Sequence, residues 1–283
     1  MEALHSRVLW WRASFFFAVC LLLLVVGQVD YSRITGMFKA HSYVARVRIS
    51  GEIGRSRARE ALLSKLAESD SVKALVLRID SPGGTVGDSE ALYQQIREVA
   101  LKKPVVAVLG NVAASGGYMA AIAADHVIAR HGTITGSIGV ISQYIGIAET
   151  AKNLGVALKS IKTSSLKSAM SPLEELSPEG ESVIQGVVDD FHVFFTSLVA
   201  ERRGFTPDQV STVSDGRIYT GAQALQAGLV DAIGGEKEAL EWLKTQKDID
   251  VRVVRDVDYR RVDSGLAPLL SYAAHYLHVL LFG

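Results

Sequence analysis

With one cysteine, Cys20, in 283 residues, the chain can form no internal disulfide and no multi-cysteine zinc site. Cys20 follows Val19 and precedes a run of leucines, the setting of an apolar filler rather than of a lipid-modified cysteine. An excess of either charge is lacking too: 30 basic residues balance 30 acidic ones, with no long basic run, which argues against nucleic acid as a partner. Internal repeats and low-complexity tracts are absent. At 48% apolar and 21% charged residues, the composition is that of a chain with a packed core. The 25 glycines have no period, which excludes collagen-like structure. They cluster instead, which points to tight turns and close backbone approaches.

The N-terminal apolar segment, residues 8–29, is interrupted by one charge, Arg12, which can snorkel. A membrane helix needs about 20 such residues. "VVGQVDYSR" offers no Ala-x-Ala cleavage site, so the segment reads as an uncleaved signal anchor, with a cleaved secretory signal as the alternative. Basic residues ahead of it place the N-terminus in the cytoplasm and everything beyond about residue 30 across the membrane. The expected organisation is a cytoplasmic N-terminus and transmembrane anchor over 1–29 and a juxtamembrane linker over 30–40. A folded domain over 41–262 and an apolar tail over 263–283 follow. Pro268 and two histidines interrupt the tail, which is marginal in length for a second span and reads as a docked or interfacial helix.

Between these ends, strand and helix patterns alternate. "YVARVRISGEI" alternates as a strand. "ALVLRI" is a buried strand that stops at "DSPGG", a turn signal. Leu92, Ile96, Val99 and Ala100 predict an amphipathic helix over 88–101. "PVVAVLG", "DHVIAR" and "GSIGVIS" read as further strands, with "SGGYMAAIAA" a tightly packed helix. A long helix follows, with Ser177 as N-cap, Pro178 in the first turn and Gly204 at its end. Thr206 and Gln209 form a capping-box pattern for the next one. "GRIYTGAQALQAGLVDAIGG" reads as turn-helix-turn, and "IDVRVVR" as a last strand. Buried strands alternating with helices predict an α/β domain with mainly parallel strands.

"GNVAASGGY" places Ser115 at a strand-to-helix corner. There the backbone N–H groups are unpaired and the helix dipole favours negative charge. Gly116 can present its N–H to an oxyanion, and Gly84 or Gly83 of "DSPGG" can supply the second donor. The alternative is a close helix-packing contact with the serine as N-cap. A nucleophilic serine needs a base. None of the seven histidines sits in a recognisable triad context; His126, His131 and His192 read as structural. A lysine can serve if burial depresses its pKa, about 10.4 in model peptides, by about 3 units. Lys162 and Lys167 in "IKTSSLKSAMSP" are the candidates, and the residues alone do not separate them.

"DSPGG", "NVAASGGYMAAIAAD", "GTITGSIGVI", "SSLKSAMSP" and "DGRIYTGAQALQAGLVDAIGG" occur in that order. In this the chain resembles the bacterial signal peptide peptidase A (protease IV) family, in its short form with one catalytic domain. The resemblance runs over roughly residues 42–245. It implies a ClpP/crotonase-like spiral of β-β-α units with additional C-terminal helices, preceded by the N-terminal transmembrane helix. It implies Ser115 as nucleophile and selects Lys167 as general base, although Leu166 stands where the family has tyrosine. Ser137 matches the position whose hydroxyl orients the lysine amine.

The implied activity is that of a serine endopeptidase degrading remnant signal peptides and other unfolded peptides, with no cofactor or metal. The implied partners are membrane lipid and further copies of the chain, in a homo-oligomeric ring that completes the dyad between protomers. The implied location is the bacterial inner membrane, single-pass, with the catalytic domain on the periplasmic side. The alternatives are a crotonase-type acyl-CoA enzyme, an anchored scaffold with a retired site, and a related Ser/Lys peptidase cleaving stomatin-like membrane proteins.

Overall fold

The apolar runs become adjacent parallel strands. In the computed structural model, which describes residues 42–249 and 252–259, β1 (Tyr43–Ser50), β2 (Val72–Ser81) and β3 (Val105–Ala114) lie side by side in that order. The far edge of β3 is shared by two strands. Its residues 106–108 pair with β4 (His126–Ala129) and its residues 112–114 with β5 (Ile134–Gly136). The antiparallel pairing among the described residues joins β5 to β6 (Ile218–Thr220). β4 continues to β7 (Ala232–Ile233), and β8 (Val254–Asp256) covers the outer edge of β1. The result is a mixed, mainly parallel α/β sheet. The anchor segment, the linker over 30–40 and the tail over 263–283 lie outside the described residues.

These strands are apolar on both faces because both are covered. Ala45, Val47, Leu75, Leu77 and Ala107 pack with the helices α1 (Arg57–Glu68), α2 (Val86–Ala100) and α3 (Gly116–Ile122). The residues between them, Val44, Ala74, Val76, Val106 and Val108, form a second cluster on the other face. Ala239 and Leu243 of the late helix Glu236–Lys247 complete it. Every residue of α3 is buried. Tyr118 anchors that helix by donating its hydroxyl to Leu229 O at 2.8 Å.

Between α3 and the late helix come α4 (Ala148–Asn153), α5 (Pro178–Arg203), α6 (Pro207–Val213) and α7 (Gly221–Gln226); the late helix is α8. α5 begins at Ser177, whose side chain accepts from Gly180 N, and ends at Gly204, left-handed at φ 65°. Thr206 and Gln209 exchange both bonds of the capping box. α5 has 26 residues and an 18-residue stretch of mean hydropathy 1.3, long and apolar enough by composition to cross a membrane.

Three expectations need correction. β3 does not stop near Gly110 but continues to Ala114 across a bulge: the register slips between Ile79 and Ser81, and Asp80 Oδ1 accepts from Val112 N at 3.0 Å. The strand expected at "GSIGVIS" lies earlier, at Ile134–Gly136, because Gly136 (φ 77°) and Ser137 (φ 50°) turn the chain away from the sheet. The last strand, expected over "IDVRVVR", is Val254–Asp256, which takes the last two residues of that segment and one beyond it.

Candidate active site

Ser115 occupies the corner between β3 and α3 at φ 53°, ψ −122°. For a residue with a Cβ, such a conformation costs about 1–3 kcal/mol and persists only where its surroundings enforce it. Here Ser115 N–H donates to Gly136 O at 2.9 Å, and Met119 N–H donates to Ser115 O at 2.9 Å. Gly83 closes the corner from the side: a Cβ there would lie 3.1 Å from Ser115 Cβ and 2.8 Å from Gly116 N. A strained strand-to-helix turn of this kind presents a serine hydroxyl outward. The N-cap alternative has no bond to support it, since the Ser115 side chain makes no capping hydrogen bond. The packing component is real for the glycines: a Cβ on Gly117 would sit 2.6 Å from Ser81 O.

Backbone N–H groups able to hold an oxyanion belong to the glycines that share a cleft with Ser115. Gly116 is the first residue of α3, so its N–H has no acceptor within the helix. In the "DSPGG" turn, Gly83 N–H is already committed to Ser81 Oγ at 3.1 Å, which leaves Gly84 as the better donor. Gly84 is held by Ile53, whose carbonyl oxygen would lie 2.0 Å from any Cβ added there. Ser115, Gly84 and Gly116 line one cleft of about 100 Å³, walled by Val86, Met119 and Phe195.

The two lysines differ sharply. Lys162 Nζ is ion-paired with Glu174 and bonded to Ser168 Oγ. Hydrogen bonds to Glu174 from Lys162, then from Ser168 and Ser160, hold its carboxyl down to about 2. Lys167 lies in the 3₁₀ turn Ser165–Ser168, which packs against α5. It is exposed, and among the described residues its amine has no hydrogen-bond or ion-pair partner. Neither lysine lines the cleft within one chain.

Ser137 directly follows Gly136, whose carbonyl holds Ser115. It is half-buried, donates its N–H to Arg217 O at 2.8 Å, and lies outside the cleft lining. His126 stacks on Trp242 at 4.7 Å, and its Nδ1 lies 3.6 Å from Asp231; burial lowers its pKa. His192 Nε2 bonds Ser214 O at 2.8 Å. Sequence reasoning missed Ser89, a buried polar residue in the cleft wall. Its signal was a serine one turn ahead of Leu92 and Ile96, on the apolar face of α2.

The surface around the segment carrying the lysines is unusually apolar. Ile145 is 77% exposed and Ile161 96% exposed, and Val183 and Val187 of α5 are also exposed.

Residues 97–250 match the profile of peptidase family S49. The Synechocystis protein slr0021, which carries a protease name, is 42% identical over 209 residues, covering 73% of this chain and 75% of its own. An Enterococcus faecium protein named as a signal peptide peptidase, SppA, is 35% identical over 206 residues. That match covers 72% of this chain and 59% of the relative. Among solved structures, a ClpP1 mutant from Listeria monocytogenes aligns with a TM-score of 0.47 at 21% identity, over 69% of this chain and 94% of that one. The profile spans more than half of the chain, and the Synechocystis relative is matched over three quarters of its length: this chain belongs to peptidase family S49 and is a serine peptidase.

Proposed function

We propose that the chain is a membrane-anchored endopeptidase that degrades remnant signal peptides after their release, using Ser115 and Lys167 as a catalytic dyad. The observation that carries this reading is the enforced corner at Ser115, with Gly84 and Gly116 in the same cleft. Lys167 takes the Ser115 Oγ proton, and the oxygen attacks the carbonyl carbon of the scissile peptide. The N–H groups of Gly84 and Gly116 hold the oxyanion. On collapse the C–N bond breaks, and the leaving amine receives the proton from the Lys167 ammonium. A water molecule, deprotonated by the same lysine, then hydrolyses the acyl ester and restores Ser115. The Ser137 hydroxyl holds the amine in orientation. The acyl-CoA alternative is set aside by family membership.

The dyad is completed between protomers. A lysine in water is protonated at neutrality, and burial is what allows it to act as a base. Lys167 is exposed in the single chain, amid apolar side chains that a second copy would cover. A homo-oligomeric ring, a ClpP/crotonase-like spiral in each subunit and a chamber facing the membrane accompany this reading. In it the segment 8–29 anchors the protein in the bacterial inner membrane, with the catalytic domain on the periplasmic side. Unfolded peptides enter such a chamber and folded proteins do not.

The test is digestion of a synthetic signal peptide by the detergent-solubilised full chain, with products read by mass spectrometry. Wild type should yield internal fragments, whereas Ser115→Ala and Lys167→Ala should yield none. Mixing the two inactive proteins under subunit exchange should restore cleavage. Wild-type turnover by Ser115→Ala would overturn the nucleophile; no recovery in demonstrably mixed oligomers would overturn the shared dyad.

A further inference from the structure

We infer that Ser81 is a positioning residue for the oxyanion hole: its hydroxyl holds Gly83 so that the next peptide presents the Gly84 N–H to the cleft. The inference rests on the reading of Ser115 as nucleophile.

Ser81 is the last residue of β2 and is 0% exposed. The other fully buried positions of β2 carry Ala74, Leu75, Val76, Leu77 and Ile79, so a hydroxyl here must find its partner locally. Ser81 Oγ accepts from Gly83 N–H at 3.1 Å and lies 3.5 Å from Gly83 O. A serine that bonds the backbone two residues ahead closes a turn on itself. Gly83 sits at φ 110° and has no side chain of its own to fix that conformation. External bonds fix it instead. Ser81 Oγ holds its N–H, and Ile53 N–H donates to its carbonyl at 2.8 Å.

The Gly83 carbonyl and the Gly84 N–H belong to one peptide plane, and in a trans peptide they point in opposite directions. The carbonyl turns to Ile53, so the Gly84 N–H turns away from it. Gly84 lines the cleft with Ser115, and Ile53 does not. The bonds on Gly83 therefore aim the donor. Without the Ser81 hydroxyl, Gly83 keeps only the bond from Ile53, and the peptide bearing the Gly84 N–H can rotate. Ser81 also touches the other half of the site. It pairs with Ala113, two residues before the nucleophile, and its carbonyl oxygen would lie 2.6 Å from any Cβ on Gly117 of α3. One buried residue thus sets the donor turn against the corner that carries Ser115.

The experiment uses the detergent-solubilised full chain as wild type, Ser81→Ala, Ser81→Cys and Ser115→Ala, with circular dichroism as the check of folding. It measures kcat and KM on a fluorogenic peptide, and inhibition by a peptide aldehyde and by the matching peptide alcohol. The aldehyde adds Ser115 Oγ to its carbonyl carbon and leaves its oxygen where the oxyanion forms; the alcohol has no such oxygen. Loss of an oxyanion donor costs about 10²–10³-fold in kcat, and a donor merely released should cost about 10–10²-fold. Ser81→Ala should show that loss with KM within about twofold. Aldehyde binding should weaken by a similar factor while alcohol binding stays unchanged. Ser81→Cys keeps the side-chain size but offers a weak acceptor, so it should move the same way, and it decides if Ser81→Ala fails to fold. An unchanged kcat, or equal weakening of aldehyde and alcohol, would overturn the inference and leave the nucleophile standing. Misfolding of both variants would make Ser81 a folding residue and overturn it too. Hydrolysis that persists in Ser115→Ala, or none by wild type, would overturn the underlying reading instead.

Discussion

Lys162 is ion-paired with Glu174, and the pair ties together the two ends of the segment that carries Lys167. Ser160 and Ser168 donate to the same carboxylate, each at 2.9 Å. Glu174 is held from an ordinary 4.5 down to about 2 by these bonds, Lys162 first. A depressed folded-state value means that the carboxylate contributes fully above about pH 4.5 and loses its contribution as pH falls toward 2. The pair is at the surface, so the consequence is local release of the segment rather than global unfolding. Pepsin digestion should therefore cut within residues 160–174 increasingly fast between pH 4.5 and pH 2. Glu174→Gln should already be cut fast at pH 4.5. Equal cutting of wild type across that range would show that the carboxylate does not hold the segment.

The same arrangement separates the roles of the two lysines. Lys162 is engaged with Glu174, so Lys162→Ala should loosen the segment and lower kcat/KM by less than about 10²-fold, the lower bound for loss of a general base. Removal of a general base costs about 10²–10⁴-fold, and Lys167→Ala should fall in that range. Peptide hydrolysis assays on the two variants, side by side, check the order. The reverse order would assign the base to Lys162.

What could be read from the chain depended on how local its cause was. Ser177, Gly204 and the Thr206/Gln209 box were legible because a helix end is fixed by residues within one turn of it. The corner at Ser115 was legible because small residues followed an apolar run. The bulge that extends β3 was not, since it depends on Asp80, 32 residues away, reaching Val112 N. "GSIGVIS" misled for the opposite reason. Its apolar alternation is strand-like, yet positive φ at Gly136 and Ser137 turns the chain away. The spacing of Lys167 from Ser115 could not be read either, because in the proposed assembly it is a distance between chains.

Tyr118→Phe tests how α3 is held beneath the corner. The Tyr118 hydroxyl is fully buried and donates to Leu229 O at 2.8 Å. Burial pushes its pKa well above the usual tyrosine value, so it stays a donor at any working pH. Removing it leaves a buried carbonyl without that donor, at a cost of about 1–2 kcal/mol. Urea unfolding should show a lower midpoint with an unchanged slope. An unchanged midpoint would mean that Leu229 finds another donor.

Gly83→Ala bears most directly on the corner. Gly83 sits at φ 110°, where a side chain is strained whatever the space around it. The space is also missing, because the new Cβ would lie 2.8 Å from Gly116 N and 3.1 Å from Ser115 Cβ. Backbone strain and overpacking together should cost about 2–4 kcal/mol in urea unfolding. Relief of either contact moves Gly116 N or Ser115 itself, so peptide hydrolysis should be lost even where the variant remains folded. Gly54→Ala is the control: its φ is not positive, an added Cβ meets nothing within 4 Å, and its effect should stay within about 0.5 kcal/mol. Full activity in a folded Gly83→Ala would mean that the conformation of Ser115 tolerates displacement, and the enforced corner would then no longer support Ser115 as the proposed nucleophile.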